Sequence, residues 1–345
     1  MFTHTLAKVL ERKNLEVAEM EEAMEALVDG NVSPVQTAAF LAALRAKGET
    51  SKEIGGAVRL LLRKAHRVEA HRPLLMDNCG TGGDCKGTFN ISTASAFVAA
   101  GGGIPMAKHG NRSVSSRCGS ADVAEALGAE MPSTPGRAAS CLDTAGLVLL
   151  FAPHFHPILR NVAEVRKALG VRTIFNILGP LLNPAPLTHQ VMGVFDPDLG
   201  VLLAEVLRSL GRKGGMVISG HGGFDELSLS GPNRVAFFSE EGVKEALVTP
   251  EEAGLVRRDE DEVLGGDASQ NASIIEDVLA GKKGAARDVV LLNAAAVFLA
   301  SGRAARWKEG AAMAAESIDS GAAARVLEKI RSFSQQRGEV VLRSA

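Results

Sequence analysis

The sequence predicts an α/β protein: a small all-helical N-terminal domain, then a larger domain with a central, mostly parallel mixed sheet flanked by helices. Three observations lead there. Residues 1 to about 70 carry helical periodicity and no strand pattern. From Leu74 onward, short apolar runs alternate with helical stretches, the pattern of a helix-covered sheet. The runs near Arg234 and Leu247 follow each other so closely that they pair antiparallel, which makes the sheet mixed. A chain of 345 residues suffices for two domains. The division expected is 1–70 helical, completed by parts of 158–190, and 71–345 α/β.

In chain order, Leu6, Val9 and Leu10 share one helical face, and a second helix spans Val17 to Val28. Ser33 as N-cap with Pro34 at the first helical position opens a third, which Gly48 closes. Thr50 with Glu53 three residues on forms the capping box of a fourth. Strands are expected at Pro73–Met76, Ile104–Ala107, Leu147–Ala152, Gln190–Val194, Gly215–Ser219, Arg234–Ser239 and Gly242–Leu247. Helices are expected at Ser92–Ala100, Ala121–Leu127, Thr134–Ala145, Pro197–Leu210, Ser273–Ala280, Ala286–Ala300, Trp307–Ser320 and about Ala322–Gln335. The stretch Ile158–Pro186 breaks this rhythm. It is polar and helical, then rich in Gly, Pro and Asn, and is expected to cross back to the helical domain or form its hinge. Arg257–Glu262 (RRDEDE) reads as a solvated face. The apolar Leu/Ala surface of the helical domain suits a dimer interface.

Composition narrows the function. Apolar residues at 46% and charged residues at 23% describe a soluble globular protein, and a net charge of −2 supplies no general attraction to nucleic acid or anionic membrane. With thirteen Phe, one Trp and no Tyr, exposed base-stacking platforms are not expected. Cys79, Cys85, Cys118 and Cys141 show no CxxC or zinc spacing, as expected of thiols in a reducing cytoplasm. No run reaches membrane-spanning length and the N-terminus lacks a cleavage signal, so a cytoplasmic protein is expected.

The chemistry concentrates between Asp77 and Gly128. Gly80-Thr-Gly-Gly-Asp84 lies between an expected strand and a helix that Ser92 or Thr93 can cap, and its glycines let backbone amides approach an anion. It is neither GxGxxG nor a P-loop, and by itself reads equally as a tight turn. Asn90-Ile-Ser-Thr93 adds an amide and two hydroxyls at a helix start. Lys108-His-Gly-Asn-Arg112 places two cations on an expected glycine-bearing loop, suited to anion capture, and Ser113, Ser115, Ser116 and Ser120 add small donors, with Ser120 as the expected cap of the next helix. Together the three pieces point to a polyphosphate site. Such a site needs charge neutralisation, which favours Asp225-Glu226 as Mg²⁺ ligands over surface decoration. Arg166 suits a substrate carboxylate, or is a surface arginine. His154 and His156 lack a third ligand and read as structural. His109 is the one obvious proton acceptor, and no nucleophile motif is present, so positioning and electrostatics are expected to carry catalysis.

Six ordered motifs, GTGGD, FNIST, AKHGNR, GSADVAEALG, RTIFNILGPLLNPA and FDE, closely resemble the anthranilate phosphoribosyltransferase family of tryptophan biosynthesis, and the resemblance covers nearly the whole chain. It implies a homodimer formed through the helical domain, and Mg²⁺-dependent transfer of phosphoribose from 5-phosphoribosyl 1-diphosphate to the amine of anthranilate. It implies that Gly80, Gly83, Asp84, Thr88, Asn90, Ile91, Ser92, Thr93, Lys108, Asn111, Ser116 and Ser120 hold the diphosphate donor. Gly80, His109, Asn111 and Arg166 would surround anthranilate, Arg166 facing its carboxylate, and Ser92, Asp225 and Glu226 would hold the metal. Cys118 and Phe224 depart from residue types common in the family. Two rivals differ in class. A pyrimidine nucleoside phosphorylase would carry a KHSTGG-type loop where DNCGTGG stands, and a non-catalytic nucleic-acid-binding homologue would need a basic surface.

Overall fold

The computed structural model describes residues 2–113 and 117–343, with side chains as far as Gln335. Ser115 and Ser116 lie outside the described residues.

Four helices come first: α1 (Phe2–Leu10), α2 (Val17–Val28), α3 (Pro34–Lys47) and α4 (Ser51–Arg63). Their ends follow the local signals. Ser33 Oγ accepts from the Gln36 amide, and Gly48 ends α3 with φ +89°. The Thr50–Glu53 box is closed at both ends. Glu53 does more than cap: fully buried, its carboxylate also accepts from the Leu15 amide at 2.9 Å and pairs with Lys47 at 2.9 Å. A capping residue thereby becomes the polar hub of the bundle.

The rest of the chain runs β1 (Met76–Asp77), α5 (Ile91–Gly101), β2 (Met106–Gly110), α6 (Ser120–Ala126), α7 (Pro135–Ala145), β3 (Leu147–Phe151), α8 (Ala152–Phe155), α9 (Arg160–Leu169) and α10 (Phe175–Leu178). It continues with β4 (His189–Gly193), α11 (Leu199–Ser209), β5 (Gly214–Ser219), β6 (Asn233–Ser239), β7 (Gly242–Val248), α12 (Ala268–Leu279), α13 (Ala285–Ala300), α14 (Trp307–Asp319) and α15 (Ala322–Arg343). The sheet order is β3-β2-β1-β4-β5-β6-β7, parallel from β3 to β5 and antiparallel at β6 and β7. This is the mixed sheet expected.

The period of two along the strands sorts side chains between two cores. Val191, Met216, Ile218 and Val235 join α5, α13 and α14 on one face. Met192, Val194, Val217 and Ala236 join α11 and the N-terminal helices on the other. Val162, Ile174, Phe175, Ile177 and Leu178 belong to this second core, so α9 and α10 pack with α2–α4, whereas Ala185 and Leu187 join the first core.

Four expectations need correction. β2 starts two residues late, because Pro105 has no amide to pair, and extends to Gly110, whose partner is Phe151. Lys108, His109 and Gly110 are therefore strand residues and not a loop. α5 starts at Ile91, so Ser92 and Thr93 lie inside it and cap nothing; Asn90 occupies the cap position without a side-chain cap bond. α6 starts at Ser120 and its cap is Gly119, whose amide donates to Asp122 at 2.9 Å. α12 also begins earlier than expected. Asp267 and Gln270 form a capping box there, a signal present in the sequence and missed.

Candidate active site

The strand order reverses direction at β1, with β2 on one side and β4 on the other. Crevices of parallel α/β sheets open at such a switch point, beyond the carboxyl ends of the strands. The segment after β1 is the Gly80–Asp84 loop; β4 ends at Gly193, and Phe195 follows it. Topology alone thus gathers much of the candidate site.

The loop is held by its neighbours. The Thr81 amide donates to the Gly193 carbonyl at 2.9 Å, and the Gly82 amide to Asp225 Oδ2 at 2.6 Å. Gly80 must be glycine: a Cβ there would stand 2.6 Å from Asp225 Oδ2. The Asp84 carboxylate accepts from the Lys86 amide at 3.1 Å and the Asp225 amide at 3.4 Å. Thr88 is half-buried, its backbone bridged to Leu264.

At the start of α5, the Ser92 amide donates to Glu226 Oε1 at 3.1 Å. A carboxylate thus occupies the positive end of the helix. Ile91 is buried in the core and offers the site only its backbone. Thr93 is fully buried, and its hydroxyl lacks a partner among the described residues, as does that of Thr81. Asn90 is fixed, donating to the Cys118 carbonyl and accepting from Asn271 at 3.0 Å.

Asp84, Asp225 and Glu226, each half-buried, lie close together as an acidic group. Burial, reinforced by Glu226 and Asp84, raises the Asp225 pKa well above its ordinary value. Burial raises Glu226 to about 7 against the opposing pull of Lys108 and Ser92. Lys108, 2% exposed, extends its ammonium to the carbonyl and side chain of Asn78 at 3.4 and 3.3 Å. Asp77 is fully buried and pushed up to about 6 by burial, with Lys108 and Asn183 opposing. Lys108 is the cation whose charge favours the ionised forms of both Asp77 and Glu226.

Asp77, Asn78 and Asn183 were not singled out from the sequence. Asn183 donates to Asp77 at 2.8 Å and to the Ala107 carbonyl at 2.6 Å, tying the GPLLNPA segment beneath β1 and β2. The motif containing it was visible, but not the contact.

His109 is oriented by the Gly179 carbonyl, 3.0 Å from Nδ1. A carbonyl only accepts, so Nδ1 carries the proton and Nε2, buried and without a partner among the described residues, keeps its lone pair. Burial, then His156, lowers its pKa to about 3, so the ring is neutral and a feeble base. Asn111 and Ser120 are bound to each other, Ser120 Oγ lying 3.2 Å from the Asn111 amide and 3.3 Å from its carbonyl. Arg112 is exposed and paired with Asp122 and Glu125, so only one of the two expected loop cations is directed inward. Arg166 lies half-buried on α9 with its guanidinium 5.0 Å from the centre of the Phe175 ring; burial lowers its pKa. Among the described residues it has no acidic partner and shares no hydrogen bond with the other candidates.

The HxH pair is structural: His156 Nε2 donates to the Leu182 carbonyl at 2.6 Å, deep in the core. Burial lowers this imidazole from 6.5 to about 4. Between those values the unfolded chain binds the extra proton and the folded one does not. Stability is therefore unaffected by this group above pH 6.5 and falls as pH drops toward 4, by roughly 3 kcal/mol in total. His156→Gln should flatten that loss when urea unfolding near pH 7 is compared with about pH 4.5. An unchanged acid sensitivity would assign it elsewhere.

Comparison with known proteins agrees with this geometry. The family described as glycosyl transferase family, a/b domain, matches residues 72–324, and the glycosyl transferase family, helical bundle domain, matches 3–65. The chain is 49% identical over 331 residues to the anthranilate phosphoribosyltransferase of Symbiobacterium thermophilum, covering 96% of this chain and 97% of that one. The crystal structure of anthranilate phosphoribosyltransferase (TrpD) from Thermus thermophilus superposes with a TM-score of 0.91 at 44% identity, covering 96% of this chain and 99% of that one. The Saccharomyces cerevisiae enzyme in complex with PRPP and Mg gives a TM-score of 0.88 at 28% identity, covering 97% and 98%. No described helix is long and apolar enough to cross a membrane.

Proposed function

This chain belongs to the anthranilate phosphoribosyltransferases of the glycosyl transferase family, and from that membership we infer how its residues carry the reaction. The phosphoribosyl group passes from 5-phosphoribosyl 1-diphosphate to the amine of anthranilate. The bond from ribose carbon 1 to the diphosphate oxygen breaks, a bond from that carbon to nitrogen forms, and nitrogen loses one proton. The single observation that carries the reading is the convergence at the β1/β4 switch point of the glycine loop and the start of α5 on the Asp225-Glu226 pair, with Lys108 as the cation acting on Glu226.

In this reading, amides of the 80–84 loop and the positive end of α5 face the diphosphate, with the Thr93 hydroxyl beside them. Ser116, Ser120 and Thr88 complete the donor side. Lys108 offsets the charge that grows on the leaving group. Arg166 holds the anthranilate carboxylate and Gly80, His109 and Asn111 border the ring, so the amine is aligned for attack. His109, neutral, positions and does not titrate.

The donor set also fits Mg²⁺. Ser92, Asp225 and Glu226 present hard oxygens, and desolvated like-charged carboxylates favour a cation among them. Among the described residues no three acidic, cysteine or histidine side chains are grouped as a metal site, so substrate phosphates would have to supply the remaining ligands. When bound, Mg²⁺ would neutralise diphosphate charge. The same reading includes a helical domain of 1–70 completed by parts of 158–190, a homodimer through that domain, and a cytoplasmic location.

The test is loss of anthranilate fluorescence, with and without phosphoribosyl diphosphate and Mg²⁺. Loss that needs all three supports the reading; phosphorolysis of thymidine in its place would support the phosphorylase. Arg166→Ala should raise the KM for anthranilate about tenfold or more while leaving donor binding within about twofold. An unchanged anthranilate KM would remove Arg166 from the acceptor side.

A further inference from the structure

Arg172 lies on the exposed turn between α9 and α10, six residues beyond Arg166, and the sequence reading assigned it no role. Its Nη2 donates to the Gly83 carbonyl at 2.5 Å, and its guanidinium stands 3.6 Å from the centre of the Phe195 ring. The planar fork is therefore held on two sides, by a loop carbonyl and by an aromatic face just after β4.

The loop it grips needs such support. Gly82, Gly83, Cys85 and Gly87 have φ of +66°, +78°, +58° and +69°. For Cys85 this is a costly left-handed conformation that persists only where surroundings define it. Tethers from the α/β body include the Gly193 carbonyl on Thr81, Asp225 Oδ2 on the Gly82 amide, the Asp225 amide on Asp84, and the Gly265 amide on the Gly87 carbonyl. Arg172 supplies one from the segment between α9 and α10. Its segment is anchored by Val162, Ile174 and Phe175 in the core shared with α2–α4.

We propose that Arg172 is a positioning residue: clamped on Phe195, it sets the Gly83 peptide and links the diphosphate loop to the short segment bearing Arg166. Engagement of an acceptor carboxylate at Arg166 is then felt at the donor loop, and by linkage the donor strengthens acceptor binding by the same factor. This rests on the function proposed above, so the first readout is independent of activity.

In the substrate-free protein, Arg172→Ala should speed hydrogen exchange at amides 82–85 by about tenfold, with exchange in the sheet strands unchanged. In turnover it should raise the KM for phosphoribosyl diphosphate about tenfold with kcat changed less than about threefold, and abolish the effect of anthranilate on donor affinity. Arg172→Lys should resemble the alanine variant, because an ammonium keeps neither the stack nor the fork, and Phe195→Leu should fall between. Unchanged exchange and KM in Arg172→Ala, or full recovery in Arg172→Lys, would overturn the proposal. If Arg172→Ala fails to fold, Arg172→Lys and Phe195→Leu decide by the same readouts. Faster loop exchange in a protein whose wild type consumes no anthranilate would sink the proposed function and leave the loop role standing.

Discussion

Replacing Asp225 by Asn together with Glu226 by Gln should lower turnover by about 100-fold or more while leaving the folded protein at least as stable as before. The two effects separate because the carboxylates do two jobs. Their oxygens accept from the Gly82 and Ser92 amides, and the amide side chains retain an oxygen for each bond. Their charges are a burden on the substrate-free fold, since desolvation pushes both pKa values up, helped at Asp225 by Glu226 and Asp84 and at Glu226 by Asp84. Neutralising them relieves that repulsion and removes the groups proposed to bind Mg²⁺. Thermal unfolding and initial rates across a Mg²⁺ series check both halves. Wild-type rates at low Mg²⁺ would refute the metal assignment, and a large fall in melting temperature would show that the charges themselves hold the loop.

Lys108→Met should be damaging in both respects. The side chain keeps its length and loses its charge beside buried Asp77 and half-buried Glu226, on both of which that charge acts. Removing one partner from buried charges costs about 3–5 kcal/mol, because the others stay uncompensated. The cost should shrink on acidification. Asp77, at about 6 with Lys108 opposing, goes higher without it and accepts a proton more readily, which removes the orphaned charge. The stability gap between wild type and variant should therefore be larger near pH 8 than near pH 5, by urea unfolding. Turnover should fall about 100-fold or more through loss of leaving-group stabilisation. A variant with wild-type turnover would show that Lys108 only balances charge.

Much of the fold was legible because its signals are local. Ser33, Pro34, Gly48 and the Thr50–Glu53 pair mark helix ends by hydrogen bonds within one turn, and the structure places those ends there. The apolar runs of β3 to β7 were found within one or two residues. Errors occurred where a neighbouring strand decides. Nothing in AKHGNR distinguishes a loop from a strand end; pairing with Leu149, Leu150 and Phe151 makes Lys108 to Gly110 part of β2 and buries the first two side chains. The Nδ1-protonated tautomer of His109 likewise depends on the Gly179 carbonyl, seventy residues away, and its neutral state on burial and the nearby His156.

The sequence by itself determined the α/β class, the element order and the three polar segments, since periodicity, capping and glycine content act over a few residues. Only the tertiary structure decided what those segments face. Asp77 meets Asn183, Gly80 meets Asp225, Ser92 meets Glu226 and Arg172 meets Gly83 across 89 to 145 positions of chain, because parallel strands need long crossovers and their carboxyl ends converge only once the sheet is assembled.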